Sequence, residues 1–453
     1  ALRRLTLAVI ILLTILYISQ HIFYLTVNGF YSFSMTGDVT KGITFVSRII
    51  NNLRFSQLFY LVPLAVIITI LRINRSFSAK LFDIRYNKGI KPLYTLLFAI
   101  VMLFVSVQTI SSKPIVEDEE NDEYNYTDRD LYESVYSPHL AIDRFGLLTY
   151  ARIDIKTMVS GEDESRNEDT MLEQTEAFFE NYHPHTDNDH TGLFEDKNLI
   201  MITAESLEPY GINEHFMPNL TAMRDNAMIF DNYYAPLYYR YTADTEFMMH
   251  TSFYPDREVQ LSMEAYKENT FPNTLPKLFK DESYDTSAHH NYTDYFYPRS
   301  EFHPETIGFD YYKDAVDMGL LEEPDGMVSD HQWTSDVDMF EQTLGDVLDS
   351  DQFFSYFLTV SGHLPYDDTQ PMAVNNLDTI EAIMEEENID IEDEDYKYYL
   401  AAQYEFDLAL GYLLETLENE GVLNDTVIMV ASDHYAYGLN RPTHEVQNET
   451  KDL

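Results

Sequence analysis

Asn198-Leu199-Ile200-Met201-Ile202-Thr203-Ala204-Glu205-Ser206 and Thr426-Val427-Ile428-Met429-Val430-Ala431-Ser432-Asp433-His434 are the two stretches that decide the fold. Each begins as a short apolar, β-branched run, the composition of a buried strand. Each then ends abruptly in polar side chains. Two further runs behave alike: residues 353–360 (FFSYFLTV) lead into Ser361-Gly362-His363, and a strand near residues 284–289 leads into His289-His290-Asn291. Helix-like segments at 218–227, 273–282, 328–348 and 396–420, and a strand-like one at 228–234, complete the pattern. Strands alternating with helices specify an α/β sheet domain from residue 191 onward. In open α/β sheets, ligands bind in the crevice outside the carboxyl ends of the strands. Glu205, His363 and the Asp433-His434 pair stand at such ends.

Working outward, the next informative stretch is Tyr241-Thr242-Ala243-Asp244-Thr245-Glu246-Phe247, between an aromatic run and Met248-Met249. By itself it reads as a helix start, with Thr242 as N-cap and Thr245 and Glu246 in the first turn. A second reading makes Thr242 a nucleophile at a helix N-terminus, where backbone N–H groups favour an anionic phosphate. Each strand-end residue alone reads equally as a cap or a turn. Together, Glu205, Asp433, His434 and a threonine oxygen form a hard-to-borderline donor set suited to manganese, magnesium or zinc. That combination points to a metal-dependent hydrolase or transferase.

The front of the chain is a different material. Residues 1–113 hold 12 Lys/Arg against Asp38 and Asp83, whereas the remainder holds 17 basic and 75 acidic residues, a net of −58. Three apolar segments, residues 5–25, 58–73 and 93–110, suit bilayer spans. Arg3 and Arg4 precede the first, and Arg72, Arg75, Lys80, Arg85, Lys88 and Lys91 fill the loop before the third. The positive-inside rule puts both in the cytoplasm and everything after residue 112 outside. Residues 1–112 are thus expected to be a transmembrane region of about three helices. Residues 113–190 are expected to be an acidic linker carrying a helical arm over 131–160, and 191–453 the catalytic domain. The acidic outer part excludes binding to a nucleic-acid backbone. With no cysteine, the chain has no disulfide, thiolate ligand or thiol nucleophile.

The motifs in combination resemble the lipoteichoic acid synthase family: membrane proteins with an extracellular sulfatase-like domain of the alkaline phosphatase superfamily, an α/β/α sandwich. Ala204-Glu205-Ser206, Thr242-Ala243-Asp244-Thr245-Glu246-Phe247, Ser361-Gly362-His363-Leu364-Pro365-Tyr366 and Ser432-Asp433-His434-Tyr435 carry the resemblance. It implies one manganese-type site formed by Glu205, Thr242, Asp433 and His434. It implies Thr242 as nucleophile and His363 as the residue that protonates the leaving alcohol or activates the incoming one. It implies a glycerol-phosphate pocket of His290, Tyr297, Arg299 and His363, with Tyr297 standing where the family commonly has Trp. His289 is read as structural. The implied substrates are phosphatidylglycerol and a growing lipoteichoic acid chain, at a bacterial cell membrane crossed several times. The family commonly has five spans and continues well past the Asp-His motif, so the sequence is expected to lack both ends.

Three other readings stand beside this one. A sulfatase would need Cys or Ser in a C/S-x-P-x-R segment, where this chain has Thr242-Ala243-Asp244. A phosphoethanolamine transferase would share the threonine and the spans, and would show extra His/Asp ligands for a second metal. A non-enzymatic homologue would bind only metal or lipid.

Overall fold

Residues 2–27 contain no acid, glycine or proline, and they form one unbroken helix, α1 (Leu2–Val27). The computed structural model describes residues 2–27, 30–31, 55–73, 131–132 and 138–160 of a first unit (1–161). Of a second unit (162–453) it describes 186–235, 242–255, 262–294, 297–322 and 333–436, with 172, 175–179, 182 and 439.

In the first unit, residues 7–24 of α1 are long and apolar enough to cross a membrane. The second expected span is divided: a 3-10 turn (Phe55–Leu61) precedes α2 (Val62–Ile73). Pro63 stands at the joint, where its missing N–H is tolerated in a first helical turn. The expected span over 58–73 is therefore described as a 3-10 turn running directly into an α-helix, and the residues that follow Ile73 lie outside the described ones. The third expected span and the linker at 114–130 lie outside the described residues, as does most of 161–190. Polar groups in α1 are paired: His21 Nδ1 with the Tyr60 hydroxyl (2.7 Å), and buried Gln20 with both the N–H and the C=O of Tyr31 (2.9 and 2.8 Å). The arm is helical as expected, in two pieces, α3 (Pro138–Phe145) and α4 (Leu147–Ser160). They break at Gly146, whose φ of +81° suits glycine. Leu131, Ala141, Tyr150 and Ile153 form their shared core.

The second unit is built on five parallel strands: β1 (Asn198–Ala204), β2 (Asp285–His290), β3 (Tyr311–Lys313), β4 (Phe353–Leu358) and β5 (Thr426–Ser432). Their order is β3-β2-β4-β1-β5. The helices are α5 (Pro218–Arg224), α6 (Thr242–Thr251), α7 (Ser262–Tyr266), α8 (Leu275–Asp281), α9 (Asp336–Leu348), α10 (Pro371–Glu387) and α11 (Glu394–Asn419). Strand alternation divides the core between two faces. Ile200, Ile202, Phe353 and Phe357 pack with Phe340 and Leu344 of α9 and Leu410 and Leu413 of α11. Met201, Phe354, Tyr356 and Leu358 point the other way, against Ala243 and Phe247 of α6 and Met263 of α7. Tyr210, Phe216, Ile380, Tyr396 and Tyr399 seat α10 on α11.

Most expected elements are present, with boundaries shifted by a few residues. The expected helix over 328–348 is described from Asp336, and 323–332 lie outside the described residues. Residues 228–234 form no strand. Their apolar pattern suits one, but a strand needs a partner ladder, and none of the five described strands offers it. Phe230 and Tyr234 are instead exposed. Helix α10 was not apparent from periodicity.

Leu413 is fully buried between α11 and the sheet. Leu413→Ala is expected to lower the unfolding free energy of the second unit by about 2–5 kcal/mol, read as a shifted midpoint in urea with an unchanged m-value.

Candidate metal centre at the strand ends

The register of the sheet places the site. β1 and β5 pair with Ala204 opposite Ser432, so the next residues, Glu205 and Asp433, leave the sheet side by side, about 4.8 Å apart at the backbone. His434 follows. Glu205 Oε1 lies 3.5 Å from His434 Nε2, and Asp433 Oδ2 lies 3.2 Å from it. Ligating atoms of these three buried side chains all fall within 4.8 Å of one another, the one such cluster among the described residues.

Thr242 enters from the other face of the sheet. It is the first residue of α6. Thr242 Oγ1 donates to Asp433 Oδ2 (2.9 Å) and lies 3.4 Å from His434 Nε2. The hydroxyl at this helix start is aimed at the acidic cluster. Thr245, one turn along, donates to the Asp433 carbonyl (2.8 Å) and ties α6 to the end of β5.

Neutral donors hold the carboxylates. Ser206 N and His434 N each donate to Asp433 Oδ1 (2.9 Å), and Ser206 Oγ donates to Glu205 Oε1 (2.8 Å). Ser206 reaches this position through a left-handed backbone, φ +55°. Thr359 Oγ1 accepts from Glu205 N (3.0 Å), and Gln403 of α11 donates to Glu205 O (3.1 Å). The loop after β4 packs here too. A Cβ on Gly362 would stand 2.2 Å from Glu205 O and 2.5 Å from Gln403 Nε2, so only glycine fits.

Three histidines show the same device. His434 Nδ1 donates to Tyr435 O (3.0 Å), His290 Nδ1 to Leu358 O (3.0 Å) and His363 Nδ1 to Leu364 O (2.7 Å). A carbonyl only accepts, so the hydrogen sits on Nδ1 and Nε2 is left with its lone pair. For His434 that lone pair faces the carboxylates, as a metal ligand requires. Burial lowers the His434 pKa against the pull of Asp433. Burial, with the Asp433 charge beside it, raises Glu205 well above the ordinary carboxylate range. Buried carboxylates normally demand a cation. Among the described residues no Lys or Arg pairs with Glu205 or Asp433. Two carboxylates, one imidazole lone pair and a hydroxyl fit a divalent cation.

The remaining expected residues take up different positions. His363 lies in the loop beyond β4, with its ring against Trp333 at 4.4 Å. Asp336, at the start of α9, holds that loop by accepting from Val360 N (3.0 Å) and Ser361 N (3.3 Å). His290 ends β2 on the face shared with α6. Burial, reinforced by the Arg299 charge, lowers its pKa to about 3, so it is neutral. Arg299 is buried, with Tyr297 beneath it at 4.8 Å. Its Nε and Nη2 donate to Glu246 (2.6–3.1 Å). His289 points to the opposite face, stacked on Phe357 at 4.8 Å and bonded to Ser287. Glu246, Thr245, Trp333 and Asp336 were not singled out as site residues by sequence. The one available signal was the four-residue spacing from Thr242 to Glu246, which places both on one helix face.

The sulfatase family model matches residues 197–451, more than half of the chain, and the chain belongs to that family. The sheet is accordingly that of the alkaline-phosphatase/sulfatase-like α/β fold. The chain is 24% identical over 266 residues to a lipoteichoic acid synthase-like protein, YvgJ, of Bacillus subtilis, covering 57% of this chain and 40% of that one. It is 25% identical over 268 residues to lipoteichoic acid synthase 2 of B. subtilis (56% and 37% covered). It is 24% identical over 260 residues to the lipoteichoic acid synthase of Staphylococcus aureus (55% and 37% covered). The chain therefore spans about two fifths of the length of these relatives. Among solved structures, the lipoteichoic acid synthase LtaP of Listeria monocytogenes aligns with a TM-score of 0.48 at 20% identity, over 61% of this chain and 65% of that one.

Calorimetry with Mn2+ is expected to show one binding site. Its affinity should fall as the pH is lowered, because protons compete for Glu205 and His434, and Asp433→Asn should weaken it at least about a hundredfold. Gly362→Ala, with its Cβ against a backbone oxygen, should destabilise the second unit by about 1–3 kcal/mol and weaken metal binding, measured by thermal unfolding with and without Mn2+.

Proposed function

We propose that this protein is a membrane-anchored phosphotransferase that moves glycerol phosphate from phosphatidylglycerol onto a growing lipoteichoic acid chain, with Thr242 as nucleophile. The observation that carries the reading is the Thr242 hydroxyl. It lies at a helix start and is hydrogen-bonded at 2.9 Å to one ligand of a buried three-residue cluster. A divalent cation, manganese in this reading, would be held by Glu205, Thr242, Asp433 and His434 and would lower the pKa of the threonine hydroxyl.

The chain's own groups supply the rest. Asp433 Oδ2 orients the Thr242 Oγ1–H. Thr242 Oγ1 gives up its proton to water and forms the bond to phosphorus as the bond to the diacylglycerol oxygen breaks, giving a glycerophospho-threonine. His363, carrying a proton on both ring nitrogens for this step, gives the leaving oxygen its proton from Nε2 and is left neutral. The terminal glycerol hydroxyl of the polymer then returns a proton to His363 Nε2 and attacks the same phosphorus, releasing Thr242 Oγ1, which regains its proton from water. Arg299 and Tyr297 line the pocket for the phosphate and glycerol. His290, neutral with its lone pair on Nε2, accepts a hydrogen bond from a substrate hydroxyl. Helix α1 anchors the chain, and the catalytic domain from about residue 191 works outside the membrane. A phosphoethanolamine transferase shares the threonine chemistry. The single three-ligand cluster among the described residues favours a one-metal centre.

Labelled phosphatidylglycerol and Mn2+ are expected to leave a glycerophosphoryl group on Thr242, found by peptide mass spectrometry. Thr242→Ala should abolish both adduct and turnover. His363→Ala should retain metal binding and slow turnover by about 10²–10⁴. Transfer from phosphatidylethanolamine in place of phosphatidylglycerol would overturn the substrate assignment. Undiminished turnover by Thr242→Ala would overturn the nucleophile.

A further inference from the structure

Helix α6 does more than present Thr242. One turn on, Glu246 is completely buried, and its carboxylate is used in full. Oε1 accepts from Arg299 Nε (3.0 Å) and Nη2 (2.6 Å), and Oε2 accepts from Arg299 Nε (3.1 Å) and His303 Nε2 (3.0 Å). Arg299 is itself 3% exposed. We propose that Glu246 is a positioning residue that aims the Arg299 guanidinium at the substrate phosphate. One helix would then fix both the attacking oxygen and the charge that receives the phosphoryl group. This rests on the phosphotransferase reading above and deepens it.

Three observations support it. First, Glu246 engages the Nε–Nη2 edge, which leaves Nη1 outside the pairing and able to address a ligand. A guanidinium held along one edge is a rigid, directed donor. Second, the Arg299 charge is felt at the end of β2, where burial lowers the His290 pKa and Arg299 lowers it further. Third, the arrangement is a poor one for stability alone. A buried ion pair contributes little beyond what an apolar pair of equal volume would. Here it also sits among unsatisfied buried atoms, His250 Nδ1 and Nε2, His303 Nδ1 and the Tyr312 hydroxyl. Such local cost is characteristic of functional placement. Burial by itself would raise the Glu246 pKa, but the Arg299 charge and the His303 and Arg299 hydrogen bonds outweigh it and hold it at about 2. The carboxylate is therefore charged throughout the working pH range.

The test uses the full chain with Mn2+ bound and measures binding of sn-glycerol 1-phosphate by calorimetry, alongside Mn2+ affinity. Glu246→Asp withdraws the carboxylate by about 1.5 Å. It should weaken glycerol phosphate binding about tenfold to a hundredfold with Mn2+ affinity unchanged, and the loss should vanish in an Arg299→Ala background. Arg299→Lys, which keeps the charge but not the fork, should weaken binding similarly. Where Glu246→Asp does not fold, the paired replacement Glu246→Met with Arg299→Met provides a folded comparison, expected to bind Mn2+ and not glycerol phosphate. Unchanged binding by Glu246→Asp, an equal loss in the Arg299→Ala background, or retained binding by the Met pair overturns the proposal and leaves the phosphotransferase reading standing. No binding of glycerol phosphate by the unsubstituted chain overturns both.

Discussion

The pairing of β1 with β5 is the constraint on which the rest depends. Seven residue pairs run in register from Asn198–Thr426 to Ala204–Ser432. Because the strands are parallel, their polar successors emerge at the same end and the same height. A slip of one residue would turn Glu205 or Asp433 to the opposite face of the sheet. The centre thus depends on backbone ladder bonds far more than on any side-chain contact within it.

Bringing two carboxylates together in a buried crevice is costly, and the surrounding structure offsets that cost with neutral groups. Ser206, Thr245, Thr359 and Gln403 donate to or accept from the backbone and side chains of the ligand residues. None of them brings a charge. Rigid ligands with no competing cation make a strong site for a small hard ion, and the proton is its natural competitor. Arg299, the charge nearest in effect, is partnered by Glu246. Its field reaches the centre without a direct salt bridge to a ligand.

Much of this was legible in the sequence because it is local. Apolar runs such as NLIMIT and TVIMVA declare strands, and an acid two residues beyond each points to a strand-end site. Thr242 at a helix start was equally plain, though its hydroxyl's bond to Asp433, 191 residues away, was not. What the pattern could not carry was pairing over distance. Glu246 has the look of an ordinary first-turn acid, and only its contact with Arg299, 53 residues on, gives it a role. The same limit explains residues 228–234, whose composition suits a strand while the described sheet offers it no partner.

Trp333 is the only tryptophan in the chain, and its indole lies 4.4 Å from the His363 imidazole and 4.8 Å from the Tyr292 ring. All indole emission therefore originates at one point, beside the His363 ring. The native chain thus contains its own optical probe of the loop beyond β4, without any label.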